Sequence, residues 1–213
     1  MFKEIIVYVR YDITYLEVAM NHLVLYAHPN PNSFNHAILE TTVKTLESKG
    51  HEVSVRDLYA LNFDPVLKGS DFEGFQSGNT PADIKTEQDF ITKADVITMI
   101  YPIWWTGLPA ILKGYIDRVL SYGFAYAYGE DGNINKFLTG KKGMIINTHG
   151  TPNDIYDSIG MTDALKKTSD TGIFDFVGIE TVEHLFFGSV PQVDDATRKD
   201  MLHKIEDKLL SLF

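Results

Sequence analysis

No cysteine occurs in the 213 residues of this chain. That excludes disulfides, thiolate nucleophiles and thiolate-held iron–sulfur clusters, and it suits a reducing cytosol, where the chain is expected to reside. Long hydrophobic runs are also missing. None approaches the roughly 20 residues that cross a bilayer, and the N-terminus alternates apolar with polar residues instead of offering the apolar stretch of a secretory signal. Positive charge is scarce: 19 Lys and Arg face 29 Asp and Glu, for a formal charge of −10. Nucleic acid is therefore not expected as a partner, because displacing its counterions requires a basic surface. Any phosphate-bearing ligand would have to rely on local backbone N–H groups and a helix N-terminus. Neither G-x-G-x-x-G nor G-x-x-x-x-G-K-[ST] is present, which argues against a Rossmann nicotinamide enzyme and an ordinary nucleotide hydrolase. Tryptophan is rare too, with two in the whole chain, yet Trp104 and Trp105 stand side by side.

What is present is ordinary for a folded protein. An apolar fraction of 44% against 23% charged residues gives ample material for a core,. Positions Ile5 to Tyr15 alternate like a strand, and Asn21–His28 forms a second,. The period then lengthens over Phe34, Ala37, Ile38, Thr41 and Leu46, predicting a helix that Gly50 closes,. His51–Leu58 returns to strand alternation, while Tyr59–Thr80 shows no clean period and reads as a surface excursion. Further on, helices are expected at Asp83–Lys93, Ala110–Ser121 (Ile111, Tyr115, Ile116 and Val119 inward), Ile159–Thr171 and Ala196–Leu212. Buried strands are expected at Ala94–Tyr101, Gly143–Asn147 and Thr181–Phe187. Alternating strands and helices without repeat or linker indicate one doubly wound α/β domain with a parallel sheet covered on both faces.

In such sheets ligands gather beyond the carboxyl ends of the strands. Three turns there carry unusual residues. His28–Asn35 brings Asn32, Ser33 and Asn35 to a helix start, as plain capping or as a phosphate seat,. Pro102–Pro109 carries the two tryptophans, either plugging the core or walling a flat heteroaromatic ligand,. Asn147–Tyr156 offers small-residue N–H groups, a downstream phenol and His149, which reads as the most exposed histidine of the three turns,.

The runs LVLYAHPNPNSFNHAI, GHEVSVRDLYALNFDP, ADVITMIYPIWWTGLPAILKGYIDRVLSYGFAYAY and GIFDFVGIETVEHLFFG, in this order from Asn21 to Gly188, resemble the flavodoxin-like NAD(P)H:quinone oxidoreductases. That family contains DT-diaphorase and bacterial NAD(P)H dehydrogenase (quinone) and modulator of drug activity relatives. The resemblance implies a five-stranded parallel sheet of order 2-1-3-4-5 and a bound flavin, FAD ahead of FMN. It implies that His28, Asn32, Ser33, Phe34, Asn35 and Ala37 hold the phosphate-bearing tail. Pro102, Ile103, Trp104, Trp105 and Thr106 would line the ring, and Asn147, Thr148, His149 and Gly150 would meet its polar edge. Tyr126 and Tyr128, with Trp105, would form the acceptor pocket across a homodimer interface. No metal is implied. Tyr156 matches a family tyrosine of catalytic role, but Ile159-Gly-Met-Thr162 lacks the histidine that accompanies it, and His149 is the candidate to replace it. The C-terminal extension of the animal enzymes has no counterpart after the last helix.

The implied activity is two-electron, ping-pong hydride transfer from NADPH or NADH to a quinone or similar aromatic acceptor. Azo- or nitroreduction, a flavin-binding regulatory subunit of the potassium-efflux ancillary type, and a one-electron carrier are the rivals. Because the resemblance starts at Asn21, Met20 is expected to be the natural start and residues 1–19 an upstream extension, with 20–213 the flavin-binding domain. A genuine extra edge strand is the rival reading.

Overall fold

A computed structural model describes residues 18–213; the strand expected over Ile5–Tyr15 lies outside them. Five parallel strands make the central sheet: β1 (Asn21–Tyr26), β2 (Glu52–Asp57), β3 (Val96–Pro102), β6 (Lys142–Thr148) and β7 (Glu180–Phe187). Their spatial order is β2-β1-β3-β6-β7, so the five main strands run 2-1-3-4-5 as expected. The order reverses between β1 and β3, the place where folds of this kind bind ligands beyond the carboxyl edge,.

Residue choice explains the layering. Alternate residues of the central strands feed two separate cores. Val24, Tyr26, Ile100, Met144 and Ile146 pack with Ile38, Leu46, Ile205 and Leu209 from α1 (Phe34–Ser48) and α7 (Asp195–Leu212). Leu25, Ile97, Met99 and Ile145 pack on the opposite face with Ile91 of α3 (Ala82–Lys93) and with Leu112, Tyr115 and Val119 of α4 (Ala110–Val119). Each fully buried Leu or Ile contributes about 1.5–3 kcal/mol. Ile111 and Ile116, expected inward, are only partly buried against this core. Leu112 and Arg118 take the buried positions instead.

Helix α1 begins at Ser33, whose Oγ accepts the His36 N–H at 3.2 Å, and it closes at Gly50 with φ of 83°,. Close approach demands two other glycines. A Cβ on Gly114 would stand 2.1 Å from the Pro65 carbonyl oxygen, and one on Gly143 would stand 2.5 Å from the Phe174 ring.

The unperiodic stretch after β2 contains a helix, α2 (Gly69–Ser77), held from outside. Arg118 of α4 reaches Asp71 at 2.8 Å, Asp83 at 2.8 Å and the Asp64 carbonyl at 2.9 Å. A short antiparallel hairpin, β4 (Tyr126–Tyr128) with β5 (Ile134–Lys136), follows α4. Past β6, α5 (Asn153–Ser158) precedes α6 (Met161–Lys166), and α6 runs on into π-helical turns over Lys167–Asp175. Among the described residues, no helix is long and apolar enough to cross a membrane.

Candidate functional site

The three turns meet at one edge. In register, Tyr26 pairs with Ile100 and Pro102 with Thr148, so β1, β3 and β6 release their chains side by side. The Ile103 N–H donates to the Thr148 carbonyl at 2.8 Å. Asn35 of α1 donates from Nδ2 to the Thr148 hydroxyl at 2.7 Å, tying the first turn to the third. The His28 ring lies 5.9 Å from the Trp104 ring, centroid to centroid. Pro102 and Ile103 are buried beneath the aromatic turn.

That turn is a two-residue hairpin. Trp104 and Gly107 exchange both main-chain hydrogen bonds, at 3.2 and 3.1 Å. Between them Trp105 and Thr106 both adopt positive φ, 49° and 57°, the conformation that such a turn imposes and that Asn-Gly would adopt with least strain. A left-handed residue with a Cβ costs roughly 1–2 kcal/mol, and a β-branched threonine is among the poorest choices. The strain has a visible product: Trp104 is 41% exposed and Trp105 fully so. Neither indole plugs the core.

At the first turn, the first amides of α1, those of Phe34 and Asn35, precede any intrahelical acceptor. They join the helix dipole in offering positive potential at this edge of the sheet. Asn32 is exposed, while Ser33, Phe34 and Ala37 are half-buried. Asn35 is buried, and its Oδ1 has no hydrogen-bond partner among the described residues. His28 is half-exposed, with its Nδ1 occupied by the Asn30 N–H at 3.0 Å.

The third turn departs from expectation. His149 is buried, not exposed, because its ring stacks face to face on Tyr156 at 4.4 Å and 8° and meets Phe186 edgewise. Both of its ring nitrogens lack a well-formed hydrogen bond among the described residues. Burial lowers its pKa, with the nearby Thr151 main chain and Asn153 side chain opposing. Asn147 is also buried, and its amide points away from the edge: Oδ1 meets His184 Nε2 at 2.6 Å, and Nδ2 donates to the Tyr101 carbonyl at 3.4 Å. Gly150 remains exposed, with space where a Cβ would stand.

Tyr126 and Tyr128 are not among the groups gathered at this edge. They sit on the β4–β5 hairpin with Tyr122 and Phe176, ring to ring at 5.0 to 6.0 Å. Tyr122 and Tyr128 are exposed. A groove of about 690 Å³ beside them is lined by Leu67, Phe72, Phe75, Leu120, Tyr122 and Tyr126, among others. Sequence reasoning missed Tyr122, although the SYGFAYAY run places it four residues before Tyr126. It also missed His184, which in sequence is one more residue of an alternating strand.

Comparison with known proteins accords with this geometry. The family described as Flavodoxin-like fold matches residues 20–209. An "Uncharacterized NAD(P)H oxidoreductase" of Haemophilus influenzae is 42% identical over 198 residues, covering 91% of this chain and 98% of that protein. "NAD(P)H dehydrogenase [quinone] 1" of Rattus norvegicus is 30% identical, over 88% of this chain and 75% of its own. Among solved structures, an NAD(P)H:quinone oxidoreductase from Methanothermobacter marburgensis superposes with a TM-score of 0.82 at 29% identity, covering 89% of this chain and 97% of its own.

Proposed function

The chain belongs to the Flavodoxin-like fold family, and on that premise we propose that it is a flavin-dependent NAD(P)H oxidoreductase that reduces quinones. The observation that carries this reading is the convergence of three turns on one edge of the sheet. A strained hairpin presents two exposed tryptophans beside a free helix N-terminus and a turn of small residues. A flat, anionic, heteroaromatic ligand fits such a place. Stacking on one face suits the ring, and amide hydrogens suit the phosphate and the polar edge. The buried Asn35 Oδ1, without a partner among the described residues, marks polar capacity that a ligand would satisfy,.

In this reading, His28, Asn32, Ser33, Phe34, Asn35 and Ala37 hold the tail, with FAD favoured over FMN on the likeness of the Ser33–Asn35 helix start. Pro102, Ile103, Trp104, Trp105 and Thr106 wall the ring and keep water from one face. The main chain of Thr148, His149 and Gly150 meets the polar edge, with Asn147 supporting it from behind. A bound flavin would supply the redox chemistry for two-electron transfer from NAD(P)H to a quinone, while the residues named here would hold and orient it. Donors preorganised at Thr148–Gly150 stabilise negative charge that develops at that edge. The Tyr156 hydroxyl is the proton-bearing group at the slot mouth. The stacked His149 ring fixes the phenol's plane and fills the role of the missing family histidine.

A homodimer belongs to the proposal. Trp105 stands wholly in solvent in a single chain, and Tyr122, Tyr128, Phe72 and Phe176 expose a second apolar surface. Exposed patches of this kind mark association sites. A second copy would bring Tyr126 and Tyr128 over the slot and build an apolar acceptor pocket with Trp105. Sedimentation should therefore give twice the 24.0 kDa of the chain.

The deciding experiment is direct. Purified protein is reconstituted with FAD and separately with FMN, freed of excess, and assayed for NADPH and NADH oxidation with a simple quinone. A yellow protein with quinone-dependent turnover is expected. A protein that stays colourless with both flavins refutes the reading.

A further inference from the structure

Behind the slot floor lies a polar network that the proposed chemistry has not used. His184, on β7, is 8% exposed. Its Nδ1 meets the Asp170 carboxylate at 2.7 Å, and its Nε2 meets the Asn147 amide oxygen at 2.6 Å. The orientation of that amide follows from its other end, where Nδ2 donates to the Tyr101 carbonyl. Both ring nitrogens therefore face acceptors. A neutral imidazole carries one N–H and would set a lone pair against an oxygen at one of the two contacts; an imidazolium donates to both.

We propose that His184 is a permanently protonated, buried cation that acts as a positioning residue for negative charge in the slot, through Asn147. The inference rests on the flavin reading above.

The surrounding groups agree on the direction of the field. Asp170 stands on the Nδ1 side and is itself held by the Ser169 hydroxyl at 3.0 Å. The positive end of the pair thus points along Nε2 toward Asn147, which leads in two residues, about 7 Å of extended chain, to His149 at the polar edge. Glu183 adds negative charge nearby and Lys166 adds positive. Lys166 lies 6.0 Å over the Phe186 ring, on which His184 stacks at 3.9 Å. Burial lowers the His184 pKa, and the Asp170 carboxylate opposes that shift. The second acceptor, Asn147 Oδ1, decides the balance. The Tyr101 phenol cannot supply a competing anion, since burial pushes its pKa up to about 12.

Hydride from NAD(P)H brings two electrons and one proton to the ring, leaving NAD(P)⁺ and a ring with one net negative charge. A cation within about 10 Å at an effective dielectric near 20 favours that reduced form over the oxidised one by about tenfold.

Two measurements test this. The first needs no flavin: ring ¹⁵N chemical shifts of His184 are followed from pH 6 to 8.5 in the wild type and in Asp170→Asn. The wild-type ring should stay doubly protonated throughout, and the variant should give up its proton within the range. A wild-type ring that is neutral at pH 7 overturns the proposal. The second is the midpoint potential of the flavin-loaded protein. His184→Gln should weaken binding of reduced relative to oxidised flavin about tenfold, a negative shift of about 30 mV for a two-electron couple. A folded, flavin-binding variant with unchanged potential overturns it. Should His184→Gln fail to fold, Asp170→Asn carries this arm, with a smaller negative shift expected and no shift fatal. A wild type that binds no flavin sinks the proposed function, while the nitrogen spectra still decide the charge on His184.

Discussion

Acid should weaken this fold in good part through His22. It lies near the start of β1, 1% exposed, with no partner on either ring nitrogen among the described residues. The His51 ring sits 4.9 Å away and the Phe213 ring 4.8 Å away. Burial, then the neighbouring His51, lowers its pKa from 6.5 to about 4, with Asp95 opposing and Lys142 assisting. Between those two values the unfolded chain binds a proton that the folded chain refuses. Stability is therefore undiminished above pH 6.5, declines as pH falls, and has lost the full His22 contribution below about 4. The whole shift is worth about 3 kcal/mol, and allowing for water reaching this end of the sheet leaves about 2 kcal/mol. The comparison that isolates it is His22→Leu, which keeps an apolar group of similar volume and removes the titration. Urea unfolding of both proteins at pH 7.5, 6.5, 5.5 and 4.5 gives the stability gap directly. The wild type should lose about 2 kcal/mol relative to the variant between pH 7.5 and 4.5. A gap that stays constant would refute the reasoning, because every other titrating group is common to both.

Three further outcomes follow from close contacts and strain. Gly114→Ala drives a Cβ into the Pro65 main chain at 2.1 Å and should cost about 3 kcal/mol or more, read as a drop of several degrees in melting temperature. Gly150→Ala, with open space at its Cβ, should leave that temperature unchanged. Asp71→Ala strips the buried Arg118 of its 2.8 Å partner and should cost about 3–5 kcal/mol in urea unfolding. Asp83→Ala removes a partner that is 52% exposed and should cost less than about 1 kcal/mol. Thr106→Gly relieves the β-branched residue at φ of 57°. It should stabilise the protein by up to about 1 kcal/mol while weakening flavin binding in a titration, since Trp105 loses the constraint that holds it out.

The legible parts of the molecule are those where one physical signal acts alone. Val96–Ile100 is buried on both faces, so its sequence is apolar but for Thr98. Phe34–Ser48 has a cap, a period and a closing glycine, and its limits could be read within a few residues. Gly69–Ser77 carries two glycines and little periodicity. It is helical because Arg118, more than forty positions away, supplies the carboxylate contacts that its own sequence cannot advertise. The β4–β5 hairpin was equally silent, with three residues per strand and no alternating pattern. Among site residues, the edge at which Trp104, Ser33 and Gly150 stand was legible from topology. The depth of each side chain was not. His149 looked exposed because its neighbours are small and polar, yet Tyr156 folds back over it from α5.

Asn147 shows why depth matters more than position. As the next-to-last residue of β6 it follows the alternation of its strand, so its side chain faces Tyr101 and His184 while that of Thr148 faces Asn35. A one-residue difference along the same strand thus separates a group at the crevice from a group that holds the crevice's foundation. The strained hairpin across the slot makes the complementary case, for there the chain accepts an unfavourable backbone so that an indole stays outside. Both features spend stability on placement. If placement is their purpose, variants that relax them should fold as well as the parent or better, and should lose flavin affinity or redox poise instead.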